Sequence, residues 1–145
     1  MEINLKAPVV IRKKILVKAP VGKIWDLLSD VNQWKYWQPE VSEPVLEGPF
    51  VAGSTIRYKV LRVSCLMTLL EVKPMTHLAW SGQSNATTVT GIWNLEEVPE
   101  GVWVKADSSF EGRQAWATCW LLYPLGFLTI WRCLRKLRSA AEKVQ

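Results

Sequence analysis

The chain has 145 residues, 49% hydrophobic and 21% charged, with a net charge of +5, one histidine and three cysteines. That size and balance support one domain over residues 1–145 with a substantial core, and they exclude a disordered or collagen-like chain. Cys65, Cys119 and Cys133 are odd in number, widely spaced and without a CxxC pair, which argues against a disulfide scaffold or a tetrahedral zinc site.

Met1 to Ala19 carries lysines instead of an apolar leader, so no secretory signal is expected and the default location is cytoplasmic. Pro8 to Lys18 is rich in β-branched residues and ends at Ala19-Pro20, which predicts a first strand. Pro20 suits a first helical position, and Val21, Ile24, Trp25 and Leu28 recur at helical spacing, so a short helix runs to a turn at Ser29-Asp30. A second short helix is expected over Val31 to Trp37, stopped by Pro39. Six strands follow, near Pro44 to Glu47, Ser54 to Leu61, Ser64 to Val72, His77 to Ser81, Thr87 to Glu97 and Val102 to Glu111. Gly48-Pro49, Lys73-Pro74, Gly82 to Asn85 and Pro99-Glu100-Gly101 punctuate them, the last as a hairpin turn between two alternating strands. Connections this short cannot make parallel crossovers, so the sheet is antiparallel.

Gln114 to Trp131 is eighteen residues without a formal charge, flanked by Arg113 and Arg132. The length approaches that of a membrane-spanning helix, roughly 17–25 residues. Gln114, Thr118, Tyr123 and Thr129 nonetheless dilute its hydrophobicity and Pro124 and Gly126 interrupt it, so a buried terminal helix from Arg113 to Ala141 is expected. Helical projection places Trp116, Cys119, Trp120, Tyr123, Phe127, Ile130, Trp131, Leu134 and Leu137 on one face, with Arg132, Arg135 and Lys136 pointing away. Ala117, Leu121, Leu125 and Leu128 make a second apolar face, open to a homodimer contact or a membrane surface. Pro124 lacks an amide proton and crowds the Trp120 carbonyl, which predicts a kink or break between Tyr123 and Gly126. Much of the positive charge gathers at Lys13, Lys14, Arg132, Arg135, Lys136 and Arg138. A solvated helix end explains the cluster more simply than nucleic acid, for which no binding module is present, and beside an apolar helix it also suits peripheral contact with an anionic membrane.

Ala19-Pro20, Ile24-Trp25, Leu28-Ser29-Asp30, Trp34 and Trp37 together resemble the opening signature of the polyketide cyclase/dehydrase and lipid transport families of the SRPBCC (START-like, helix-grip) superfamily. Leu95 to Gly112, with Glu96 to Val104 and Phe110-Glu111-Gly112, looks like that superfamily's last hairpin leading into its terminal helix. The resemblance implies an α+β helix-grip fold. About seven antiparallel strands would form a curved sheet wrapped around the long C-terminal helix, with two short helices after the first strand. It also implies an apolar cavity between sheet and helix, in a superfamily of carriers, receptors, cyclases and lyases, so that the fold leaves the chemistry open. Trp25, Asp30 and Trp34 read as structural, packing the short helices across the sheet edge.

No GxSxG, phosphate loop or metal cluster occurs, so no catalytic residue, cofactor or metal is expected. His77 is the obvious base by its chemistry, but if Leu78 and Trp80 face the core, alternation turns His77 outward. The same alternation turns Val89, Gly91, Trp93 and Leu95 inward, and Val104, Ala106, Ser108 and Phe110 opposite them. Ser108 is the polar exception, and Tyr58 can aim its hydroxyl inward from its strand. The expected ligand-binding residues are therefore Tyr58, Trp80, Trp93, Ser108 and Phe110 on the sheet, with Trp116, Trp120 and Phe127 on the helix. The indoles either fill the core or line a pocket. Three functions are compatible with the pattern: a carrier of a hydrophobic small molecule or lipid, a cyclase or dehydratase using Tyr58, Ser108 or a water as proton relay, and an interaction module using the outer helix face.

Overall fold

A computed structural model describes residues 3, 5–38, 41–60, 63–84, 87–113 and 119–143, with side chains apart from those of 33, 35, 36, 60, 63, 84 and 119–126. Among the described residues, seven strands form one sheet: β1 (Val9–Val17), β2 (Val41–Glu47), β3 (Thr55–Val60), β4 (Val63–Lys73), β5 (His77–Ser84), β6 (Thr87–Val98) and β7 (Gly101–Glu111). Between β1 and β2 lie α1 (Val21–Ser29), a 3-10 turn (Val31–Gln33) and α2 (Trp34–Trp37), and α3 (Cys119–Glu142) follows β7. The spatial order is β1-β7-β6-β5-β4-β3-β2, antiparallel at every pairing. Sequential hairpins account for all of it except the return of β1 to the far edge beside β7, which the two short helices allow by carrying the chain across the concave side.

Register decides which side chains face inward. Trp93 pairs with Leu78 on one side and Ala106 on the other, Trp80 with Leu69 and Gly91, and Tyr58 with Cys65, so all of these share the concave face. β4 slips by one residue between Leu69 and Glu71. The extra residue, Leu70, packs on the convex face with Ile3, Ala79, Ile92 and Val10, a small second core beneath the N-terminal segment.

The short helices are held by hydrogen bonds that use the polar atoms of the sequence signature. Trp34 Nε1–H donates to Leu28 O and Trp37 Nε1–H to Leu27 O, both at 3.1 Å, folding α2 back on α1. Asp30 accepts from the Asn32 amide at 3.0 Å and donates its own amide to Asp26 O, ending α1 and starting the 3-10 turn.

The latter half of α3 is fastened into the sheet. Leu134 and Leu137 are fully buried and Ala141 nearly so. Lys18 N–H donates to Glu142 Oε2 at 2.9 Å and Lys23 Nζ to Lys143 O at 2.6 Å. The helix runs unbroken through Pro124, so of the expected kink or break the break does not occur. Proline deletes one amide donor, the one that would reach Trp120 O, and the bonds of the flanking turns carry the helix past it. The expected start at Arg113 falls beside 114–118, outside the described residues. Among the described residues, no helix is long and apolar enough to cross a membrane.

Candidate functional site

A cavity of about 420 Å³ lies between the concave face of the sheet, the α1–α2 segment and α3. Its sheet side is built by Met67 and Leu69 of β4, Leu78 and Trp80 of β5 and Trp93 of β6, the positions that alternation and register turn inward. Trp34, Trp37 and Phe50 close one side, and Thr129, Ile130 and Cys133 of α3 form the roof. Trp37 meets Trp93 edge to face, with ring centroids 6.5 Å apart, so the two indoles brace each other.

Glycines explain why space remains beside so many large rings. Trp80 lies low across the sheet, over Gly91 on the neighbouring strand and Gly82 on its own. A β-carbon at Gly91 would collide with the Trp80 indole, and one at Gly82 would stand 3.2 Å from Trp80 Cζ3. With side chains at these two inward positions the indole would have to rise into the cavity. Absent side chains thus keep an aromatic wall flat and the volume above it open.

The polar groups facing this space are few. Ser108 of β7, 3% exposed, presents a hydroxyl beside Gly91, its strand partner. Tyr58 of β3 sits against Cys65, its partner across β3 and β4. Burial, and then the Cys65 thiol beside it as both charge and hydrogen-bond partner, pushes the Tyr58 phenol from its ordinary 10.0 up to about 12. At neutral pH Tyr58 is therefore a phenol. It can donate a hydrogen bond to an acceptor in the cavity, but it does not serve as a base.

Of the residues expected to line a pocket, the structure brings together Tyr58, Trp80, Trp93, Ser108 and Phe110. Trp116 lies outside the described residues, as does the side chain of Trp120. Phe127 is placed elsewhere: its ring lies under the Lys13 ammonium, 4.2 Å from the centroid, with Trp131 also beneath it at 5.3 Å. One helical face in projection thus divides in space. The side bearing Phe127 and Trp131 packs toward β1, and the side bearing Thr129, Ile130 and Cys133 roofs the cavity. Of the proposed dimer or membrane face, Ala117 and the side chains of Leu121 and Leu125 lie outside the described residues, and Leu128 is 51% exposed.

Sequence reasoning missed Cys65, Met67 and Leu69 of β4 and Gln38 beyond α2, all of which line the cavity. The β4 residues carry an alternation signal that the Leu70 bulge interrupts. Gln38 carries none, since its Oε1, 3.6 Å from Cys133 Sγ, is placed by the packing of α2 on α3. Trp34, read as structural, and Trp37 do both jobs: their N–H groups hold the short helices and their rings line the cavity.

His77 faces away from the cavity on the convex side, yet its side chain is only 13% exposed. Nδ1 is 2.7 Å from Asn94 Oδ1, a hydrogen bond that holds the ring against β6, and Nε2 lies 3.0 Å from Glu71 Oε2 of β4 without hydrogen-bond geometry. A second concavity, of about 490 Å³, lies at the β3–β4 edge among Glu43, Arg57, Lys59, Ser64 and Leu66. Its cations are engaged, Arg57 with Glu47 at 3.1 Å and Lys59 with Glu43 at 3.2 Å, and its open charged surface suits water better than an apolar guest. Among the described residues, no group of three or more histidine, cysteine or acidic side chains could hold a metal ion.

Comparison with known proteins agrees with this architecture. The chain is similar over 95% of its length to a hypothetical protein of Helicobacter pylori, covering 90% of that chain with a TM-score of 0.84 at 13% identity. It resembles a protein of Thermus thermophilus with a TM-score of 0.77 at 16% identity, covering 91% of this chain and 96% of that one. The di-domain ARO/CYC protein StfQ of the steffimycin biosynthetic pathway matches with a TM-score of 0.78 at 16% identity over 92% of this chain, which spans half of StfQ. At such identities these likenesses concern the fold alone. A search of curated proteins finds no significant match. The model of one family, described as polyketide cyclase/dehydrase and lipid transport, matches residues 8–121. With its seven-stranded antiparallel sheet gripping a C-terminal helix over an apolar cavity, the chain belongs to the polyketide cyclase/dehydrase and lipid transport family, of SRPBCC type.

Proposed function

We propose that the protein binds and carries a hydrophobic small molecule or lipid in the cavity beneath α3. The observation that carries this reading is the floor of the cavity, where Gly82 and Gly91 let the Trp80 indole lie flat and leave about 420 Å³ open. That volume falls within the roughly 300–1,000 Å³ of small-molecule sites. Tyr58, Trp80, Trp93, Ser108 and Phe110 are the binding residues of this proposal, with the indoles supplying shape and the two hydroxyls orientation. Apolar ligand area buried at about 25 cal/mol per Å² supplies the affinity. Native mass spectrometry of the purified protein, before and after denaturation, tests the reading. A discrete extra mass that is lost on denaturation supports it. An empty monomer that also leaves the apolar dye Nile red unbound would remove it.

A second reading, a cyclase or dehydratase acting in the same cavity, rests on Tyr58. A phenol held protonated to about pH 12 is suited to donate to a carbonyl oxygen of a bound guest. Proton removal then falls to another group, and neither His77 on the convex face nor Tyr58 itself supplies it. The carrier reading needs no such base and is preferred.

A further inference from the structure

Charge is distributed along this chain in a way that the cavity does not use. From Gly112 to Ala141 the sequence carries Arg113, Arg132, Arg135, Lys136 and Arg138 and no acidic residue. This segment accounts for the whole net charge of +5, because the other thirteen cations are matched by thirteen acids.

On α3 two of these cations, Arg132 and Arg135, are exposed, and Lys136 and Arg138 are half-buried. Leu128, Arg132 and Arg135 follow one another at helical spacing, and all three are exposed, Leu128 by 51%. Ser139 continues the stripe, while Leu134, Leu137 and Ala141 bury the opposite side. Arginines in line behind an exposed leucine match the layering of a lipid surface, with anionic headgroups above the acyl boundary. Leu128 also adjoins Thr129 and Ile130 in the roof of the cavity, so the stripe begins where α3 covers the proposed cargo.

We propose that the outer face of α3 docks on an anionic phospholipid bilayer, with Arg132 and Arg135 among the headgroups and Leu128 entering the acyl boundary. A bilayer fits better than nucleic acid, because the described part of the stripe offers no ring for base stacking. Phe127 and Trp131, the neighbouring aromatics, lie against Lys13 of β1. This inference goes beyond the carrier reading and does not depend on what the cavity holds.

Sedimentation with vesicles of phosphatidylcholine, with and without phosphatidylserine, provides the test. The protein is expected to sediment only with serine-containing vesicles and to be released by salt. Each cation near an anionic surface raises membrane affinity about fivefold, so Arg135→Gln should weaken partitioning about fivefold and Arg132→Gln with Arg135→Gln about 25-fold. Nile red binding and thermal unfolding should stay at their original values, which separates docking from folding and from the cavity. Absence of sedimentation, equal sedimentation with both vesicle types, or unchanged partitioning of the double variant would overturn the proposal. Tighter retention on single-stranded DNA than on the vesicles would also overturn it, and would reassign the stripe to a polyanion.

Discussion

Gly91→Ala tests the origin of the cavity directly. The added β-carbon would occupy space now filled by the Trp80 indole, and Gly91 sits between Trp80 and Ser108 in the sheet, where neither strand can withdraw without breaking its ladder. The indole must therefore rotate off the sheet and into the space above it. Overpacking of this kind costs about 1–3 kcal/mol of stability. The effect on binding should be of similar size. An aromatic side chain buries roughly 150–250 Å², and a raised indole that denies a ligand about half of that removes about 100 Å² of contact. At ~25 cal/mol per Å² the loss is about 2.5 kcal/mol, or close to two orders of magnitude in affinity. Titration with Nile red, followed by its emission and by tryptophan quenching, measures both the affinity and the environment of the indoles. A variant that folds, binds the dye with unchanged affinity and shows unchanged quenching would refute the argument that the missing side chain holds the wall flat.

Other expectations follow from the same geometry. Because Tyr58 titrates near 12 in the folded chain and near 10.0 when unfolded, the unfolded state loses its proton first, so stability is unaffected below pH 10 and falls at higher pH by up to about 1.4 kcal/mol per pH unit; urea unfolding of the protein and of Tyr58→Phe across that window should show the slope only in the former. Replacing His77 with alanine removes the hydrogen bond to Asn94 on the convex face and should cost about 1–3 kcal/mol in thermal or urea unfolding, while dye affinity remains unchanged because the ring lies on the far side of the sheet. Trp93→Ala removes the indole that braces Trp37, and should lower stability by about 3–5 kcal/mol and weaken Nile red binding as well; unchanged affinity would strike Trp93 from the proposed site.

Local chemistry determined much of this protein in advance. Alternating apolar residues, Pro and Gly at the joints, and short connections are enough to order seven antiparallel strands, two short helices and a terminal helix, because each signal acts over a few residues. Alternation within a strand also oriented Trp93, Ser108 and Phe110 correctly and turned His77 to the convex face. Tertiary structure decided whatever depends on a neighbour that is distant in sequence. Projection of a helix shows that Phe127 and Ile130 share a side, but only the crossing of α3 over the sheet sends one to Lys13 and the other to the cavity. The burial of His77 required Asn94 and Glu71 from adjacent strands, and the convex position of Glu71, directly after convex Leu70, required a bulge against β5. Whether the indoles fill the interior or line a space was equally undetermined by periodicity, since it turns on the register that sets Trp80 beside Gly91. Strand pairing joins residues whose separation in the chain carries no local signature, and that pairing is what leaves a cavity between the sheet and its helix.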